Sequence, residues 1–443
     1  MLTYNEALEY LNSFTDYERT GLGALKNNRD LCKLHKMLNV MGNPEKAYPT
    51  VHIAGTKGKG SISVFTSSIL VESGYKVGLF TSPHLMTIRE RIVVNNKMIT
   101  EEDLAFAVGE LSSFLGNKPG SREFSFFEIY TMLAMLYFRM QHVDIAVFEC
   151  GLGGRLDSTN VINPIVCGFA PISYDHFQVL GTTLEEIAGE KAAIIKTGTR
   201  CVSSHQTPQV MKIIEDMCTR HSVPLSVAGR DINYDVERLD EKGGCFNIYG
   251  RDRSYEKCST LMLGRFQAEN CAVAVGICEE LELAGTIKMY KSAVRTAISK
   301  AYLPGRMEIL SRDPLLVIDG AQNAASAAEL KYSVEEIFKY DRLILLLGLS
   351  SDKDIEGVCR EFSQLADEFI VTRASVKRAA DPYVIKGYLR GARSVVAEDA
   401  KEALGRAFSS ARKNDMILVA GSFFLIGEVK QLLESQGQVL NLP

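Results

Sequence analysis

The chain has 443 residues, 46% hydrophobic and 23% charged, with 50 Lys and Arg against 54 Asp and Glu, for a net charge of −4. That length exceeds one ordinary core and predicts two or more domains. The mixed charge and the lack of any apolar run near 18 residues exclude a nucleic-acid groove, a membrane-adhering face and a spanning helix.

The opening MLTYNEALEYLNSF has amphipathic helical spacing and two Glu, unlike a secretory leader. The ten cysteines include no C-x-x-C pair and read as reduced thiols of a cytoplasmic protein. Strand patterns follow at TVHIA (50–54), KVGLF (76–80), DIAVFE (144–149) and PIVCGFA (164–170), each succeeded by a turn and a helical pattern. Such alternation predicts parallel βα units with helices on both faces.

Residues 229–262 are charged and punctuated by glycine, which predicts a small antiparallel insertion, and a helix is predicted from about Gln267 to Ala284. Strand patterns restart at LLVID (315–319), RLILLLGL (342–349), EFIVT (368–372), SVVAE (394–398) and DMILVAG (415–421). The boundary is placed near Leu303–Pro304, giving domains 1–302 and 303–443. There is neither an internal repeat nor a low-complexity tract.

GTKGKGS (55–61) sits between a strand and a helix, where backbone N–H groups and the helix dipole favour phosphate. It departs from G-x-x-x-x-G-K-[ST], because Gly55 and Gly58 are three positions apart and Gly60 separates Lys59 from Ser61. Glycines permit close backbone approach, Lys59 supplies a mobile charge and Ser61 can ligand Mg²⁺. The competing reading is a tight βα turn with a solvated lysine. Glu149 and Asp319 end apolar strands, where carboxylates face the crevice of a parallel sheet. Glu149 suits a divalent cation and Asp319 a ribose hydroxyl; the plainer readings are a surface Glu and a turn-capping Asp. Arg306 could meet phosphate through its fork of donors, but read alone it is a surface arginine. Read alone, His176 is a structural histidine and Lys191 an ordinary helix lysine.

The loop resembles the G-T-[NHK]-G-K-[GST]-[ST] segment of the Mur ligase superfamily, and Gly60 points to its folylpolyglutamate synthase/dihydrofolate synthase branch. TSPHLMTIRERI (81–92), SFFEIYTMLAMLYF (125–138), VDIAVFECGLGGRLDSTNVI (143–162) and SYDHFQVLGTTLEEIAGEKAAIIKTG (173–198) are similar to that family's signatures in its order. PGRMEIL, IDGAQNAASA, LGLSSDKD and LVAGSFFLIGEV extend the resemblance over essentially the whole chain.

The resemblance implies an α/β fold, with an N-terminal P-loop ATPase-like parallel-sheet domain and a C-terminal Rossmann-like domain. It implies ATP-dependent ligation of L-glutamate to a folate, either tetrahydrofolate polyglutamate or dihydropteroate, through an acyl phosphate. Lys59, His176 and a carbamylated Lys191 would be catalytic. ATP would meet Gly55, Thr56, Lys57, Gly58, Lys59, Gly60 and Ser61, with Asn270 near the adenine and Arg306, Asp319 and Gln322 across the cleft. Ser61, Ser82, Glu149 and His176 would hold Mg²⁺, and Pro83, His84 and Arg89 the folate. The expected protein is a monomer with no nucleic-acid or membrane partner.

Three residues depart from the family pattern: Gln322 and Phe266 stand where histidine is usual, and Ala193 where glycine is. All seven histidines lie at or before His221, so no C-terminal one replaces that missing at 322. The alternatives are a Mur-type amide ligase for another carboxylate and a nucleotide-binding pseudoenzyme or switch.

Overall fold

The computed structural model describes residues 2–20, 30–116, 123–435 and 437. The amphipathic opening forms the helix Tyr4–Asn12, capped reciprocally by Thr3 and Glu6, and it buries Ala7, Tyr10 and Leu11. Among the described residues no helix is long and apolar enough to cross a membrane.

The N-terminal half is built on eight strands: β1 (Thr50–Ala54), β2 (Val77–Phe80), β3 (Ile92–Val94), β4 (Lys97–Met98), β5 (Ile145–Glu149), β6 (Val166–Phe169), β7 (Arg200–Ser203) and β8 (Leu225–Val227). Their order is β4-β3-β2-β5-β1-β6-β7-β8. All neighbours from β2 to β8 pair in parallel, and β3 and β4 close one edge as an antiparallel ribbon. Central strands are apolar on both faces because helices cover both. On one face Val51 and Ile53 pack with Ile62, Phe65 and Ile69 of the helix Lys59–Glu72 and with Val273 and Ile277 of the helix Phe266–Leu283. On the other, Phe80 and Phe148 meet the helix Phe126–Met140.

The predicted insertion is a three-stranded antiparallel sheet of β9 (Asn233–Asp240), β10 (Gly243–Tyr249) and β11 (Ser254–Thr260). The C-terminal half holds β12 (Glu308–Arg312), β13 (Leu315–Asp319), β14 (Leu343–Leu347), β15 (Glu368–Val371), β16 (Ser394–Val396) and β17 (Met416–Ala420). Its order is β12-β13-β17-β14-β15-β16, parallel except for β12 at the edge. The fold is thus the expected α/β arrangement of two parallel-sheet halves. The strand patterns at 50–54, 144–149, 315–319 and 415–421 were legible, whereas β7, β8 and β12 were not read as strands.

Register sets the site. Ile53, one residue before the end of β1, pairs with Glu149 at the end of β5, so the loop after β1 and the Glu149 carboxylate emerge at the same sheet edge. Asp319 pairs with Ala420 at the corresponding edge of the second sheet.

Candidate active site

A cleft of about 390 Å³ lies between these edges, lined by the loop 55–61, Ser82, Glu149, His176, Lys191, Asn270, Arg306, Asp319 and Gln322. Loop geometry requires glycine at two points. Gly55 has φ 145°, and a Cβ there would lie 2.6 Å from that of Ala170. Gly58 has φ 85°, and its Cβ would lie 2.6 Å from Asn270 Oδ1.

Thr56 and Lys57 donate their backbone N–H groups to Pro171 O at 2.9 and 3.3 Å, and Thr56 Oγ1 donates to Ser173 O at 3.0 Å. These amides fasten the loop to the chain beyond β6, and both residues line the cleft. The first-turn amides of the helix Lys59–Glu72 have no partner within the helix and form the anion-facing end. Lys57 instead reaches across the cleft, donating to Ala325 O at 3.2 Å, with Glu329 at 3.5 Å.

Glu149 is 4% exposed and accepts the Ser82 N–H at 3.0 Å. Burial raises its pKa, and Lys59 opposes that rise. A Cβ on Gly60 would meet its two carboxylate oxygens at 3.7 and 3.8 Å, so the carboxylate faces the helix start beside the buried Ser61. A buried carboxylate beside a hydroxyl fits Mg²⁺, which takes one or two protein oxygens and fills its remaining positions with phosphate and water. Among the described residues no group of three His, Cys, Asp or Glu is placed to hold a metal ion.

His176 has φ 53° at the start of the short helix Phe177–Leu180. Its Nε2 lies 3.4 Å from Lys353 Nζ and 3.7 Å from Asp175. Burial, then Lys353, lowers its pKa to about 3, so the ring is neutral. Lys353 donates to Asp175 Oδ1 at 2.7 Å and Asn323 Nδ2 donates to Asp175 Oδ2 at 3.1 Å. Burial opposes the charge on Asp175, but the Lys353 ammonium and the hydrogen bonds from Lys353 and Asn323 outweigh it and hold its pKa below the usual carboxylate range. Lys353, Asn323 and Asp175 were not singled out in the sequence, although all lie in motifs quoted above.

Lys191 is 4% exposed and donates to Gly55 O at 2.8 Å. Burial, reinforced by Lys59, brings its pKa down to about 7. A large fraction is therefore neutral amine near neutral pH, the form that reacts with CO₂.

From the second half, Arg306 lies 4.4 Å over the Phe423 ring. Burial lowers its pKa, countered by Asp319 and Glu149. Asp319 accepts N–H groups from Met307 at 2.9 Å and Ala321 at 2.8 Å, a turn-capping arrangement, and burial raises its pKa. Gln322 donates its backbone N–H to Ser326 Oγ at 3.1 Å while its side chain lines the cleft.

Two expected residues are not on the cleft wall. His84 Nδ1 accepts from Arg91 Nε at 2.8 Å, and Arg89 donates to Ile99 O at 2.8 Å and pairs with Glu101. Both are drawn into the packing of their own loop. Pro83 does line the cleft, and the wall beyond it is formed by Lys33, Phe124, Phe127, Leu152 and Asp157. A Cβ on Gly151 would come within 2.5 Å of the Phe127 ring, so that glycine makes room for the aromatic wall.

The Mur ligase middle domain matches residues 53–278, and the Mur ligase glutamate ligase domain matches 305–423. A dihydrofolate synthase/folylpolyglutamate synthase of Bacillus subtilis is 31% identical over 408 residues, covering 91% of this chain and 95% of that protein. The structure of a Thermotoga maritima folylpolyglutamate synthase is similar with 32% identity and a TM-score of 0.82, over 99% of this chain and 98% of that one. An Escherichia coli enzyme in complex with DHPP and ADP aligns with 25% identity and a TM-score of 0.86, over 98% of both chains.

Proposed function

This chain belongs to the folylpolyglutamate synthase/dihydrofolate synthase family of Mur ligases, and from that membership and the chemistry of the cleft we propose how it joins L-glutamate to a folate with ATP. The folate carboxylate attacks the γ-phosphoryl of ATP, giving an acyl phosphate and ADP. The glutamate amine then displaces phosphate to form the amide.

Phosphoryl transfer asks mainly for alignment and neutralised charge. The observation that carries the reading is that one cleft gathers Lys59, the buried Glu149 and Arg306 from both halves of the chain. Lys59 and the first-turn amides hold the phosphates, and Arg306, braced on Phe423, meets them from the opposite wall. Ser61 and Glu149 would hold Mg²⁺, joined by Ser82 and His176, and the ion supplies further phosphate neutralisation when bound. Carbamylation of Lys191 would turn a half-neutral buried amine into an anion beside Lys59. Asp319, with both carboxylate oxygens on backbone amides, keeps lone pairs for a ribose hydroxyl. The aromatic wall of Phe124 and Phe127 suits a flat heterocycle. We place the division between halves at Leu303 and take the working unit as a monomer.

The test is to incubate the protein with ATP, Mg²⁺, L-glutamate and either dihydropteroate or tetrahydrofolate, and to weigh the product. A mass gain of one glutamyl group, with ATP turnover requiring both co-substrates, is expected. Nucleotide binding without turnover on either acceptor would overturn it.

A further inference from the structure

The loop 55–61 is seated residue by residue on the chain that leaves β6. A Cβ on Gly55 would lie 2.6 Å from that of Ala170 and 2.8 Å from Ala170 O, so the two backbones touch. Thr56 and Lys57 share Pro171 O, at 2.9 and 3.3 Å. Thr56 Oγ1 donates to Ser173 O and accepts the Ser173 N–H, both at 3.0 Å. The placement of the loop is therefore inherited from residues 170–173.

Those residues have left the sheet. Phe169 ends β6, paired with Ala54 on one side and Ser203 on the other. One further bond follows on each side, from the Ala170 N–H to Ala54 O and from the Ser204 N–H to Phe169 O, both at 2.8 Å. The chain after β7 then turns away into the helix Pro208–His221. Ala170 O and the Ile172 N–H lose their strand neighbour there, and Pro171 between them has no N–H to offer. Gln206 meets both: Nε2 donates to Ala170 O at 3.1 Å and Oε1 accepts the Ile172 N–H at 2.9 Å. Nε2 also donates to Ser204 Oγ at 2.9 Å, and the residue is 4% exposed. The side-chain amide thus stands in for the missing strand residue. It grips the chain on either side of Pro171, whose carbonyl seats the loop.

We propose that Gln206 is a positioning residue for phosphoryl transfer: it fixes residues 170–172 so that the loop seated on them presents Lys59 and the first-turn amides to the nucleotide phosphates. The proposal rests on the reading of residues 55–61 as the phosphate loop. Phosphoryl transfer depends on alignment, and a displacement of about 1 Å, even from a distant residue, is enough to weaken it.

The test compares binding of ADP with Mg²⁺ and of adenosine by titration calorimetry, two probes that differ in the phosphates alone. Gln206→Met, similar in volume but without the amide, should weaken ADP binding about tenfold and leave adenosine within about twofold of wild type. A generally loosened fold would weaken both. Thr56→Val, which breaks the joint between the loop and Ser173, should weaken ADP too. In the double variant the two losses should fall short of adding, since both release the same seat. Gln206→Asn, one methylene shorter, reaches only one of the two backbone groups; it should weaken ADP about threefold, and it serves where Gln206→Met fails to fold. ADP binding unchanged in the Gln206 variants, equal weakening of ADP and adenosine, or strictly additive losses with Thr56→Val would overturn the proposal while leaving the phosphate site standing. Absence of ADP binding by the wild-type protein would overturn the reading of the loop itself, and the proposal with it.

Discussion

His52 lies inside β1, 0% exposed, with Nε2 2.7 Å from Thr159 Oγ1 and 3.0 Å from Cys150 Sγ. Its Nδ1 is buried without a partner, so a proton added there would have nothing to bond. His84 uses Nδ1 to accept from the Arg91 guanidinium, which also requires a neutral ring. Burial lowers both pKa values to about 3, aided by Lys196 at His52 and by Arg91 at His84. For a histidine lowered on folding, the contribution to stability is full above the unfolded pKa of about 6.5 and is lost as pH falls toward the folded value. Between pH of about 7.5 and about 5.5 the unfolded chain gains most of one proton per ring and the folded chain almost none. Each ring then costs about 1.4 kcal/mol, and the pair about 2.7 kcal/mol. The assay is urea unfolding at both pH values for the wild type and for a variant carrying His52→Gln and His84→Asn. Those amides can mimic the Nε2 donor of His52 and the Nδ1 acceptor of His84, and carboxylate titrations cancel in the comparison. The wild type should lose about 2.7 kcal/mol more than the variant over that interval. Equal losses would refute the assignment of two neutral rings.

Lys59→Ala should lower ATP turnover by roughly a hundredfold or more with circular dichroism unchanged; near-normal turnover in a folded variant would remove Lys59 from the phosphate site. If Lys191 is carbamylated, activity should fall when CO₂ is stripped and return with bicarbonate, and electron density ending at a plain ammonium with Mg²⁺ and nucleotide bound would count against it. Lys353→Met leaves Asp175 buried beside an unreplaced charge and should cost roughly 3 kcal/mol or more in urea unfolding. Adding Asp175→Asn should recover most of that loss, and a single variant as stable as wild type would show that the pair carries no load. Gln322→Ala should weaken ATP binding by about 1 kcal/mol, whereas Gln322→His should bind equally near neutrality and more tightly below pH of about 6.5. Identical ATP dissociation constants for the wild type and Gln322→Ala at every pH would place that side chain away from the nucleotide.

The loop between β1 and the helix Lys59–Glu72 was legible because a doubly covered parallel strand must be a continuous apolar run, and its ending is then marked by glycine. Glu149 and Asp319 were legible for the same reason: each is the first charge after such a run. β7 and β8 were missed because they are only four and three residues long, with Arg200 and Ser203 at the ends of β7 and Ser226 in the middle of β8. β12 was missed because its apolar residues are few: it opens on Glu308, whose burial depends on Tyr302, Gly305 and Lys430, and it ends on the edge residues Ser311 and Arg312. Lys191 read as an ordinary helix lysine because its burial depends on Gly55, 136 positions away. Asp175 and Lys353 are 178 positions apart, and no local spacing couples them. For His84 and Arg89 the pattern was read correctly as a loop, but their partners Arg91 and Glu101 come from the same loop and its neighbouring helix, and these hold them off the cleft.

Arg306 shows why the remainder of the site needed the fold. Alone it was a surface arginine, yet it follows a linker that the second half holds firmly. Glu308 accepts from the Gly305 N–H at 2.7 Å and from Tyr302 Oη at 2.5 Å, and Lys430 donates to the same carboxylate at 2.6 Å. These groups bind residues 302–308 to the helix Phe423–Ser435, so Arg306 belongs mechanically to the second half. Lys59 and Glu149 belong to the first. Contacts between the halves at the cleft rim are polar: Asp175 with Lys353 and Asn323, Lys57 with Ala325, and Arg378 with the Glu18 carbonyl at 2.6 Å. Charge neutralisation around the phosphates therefore depends on how the halves meet, and a substitution at Lys353 should reach catalysis through the placement of Arg306 as well as through stability.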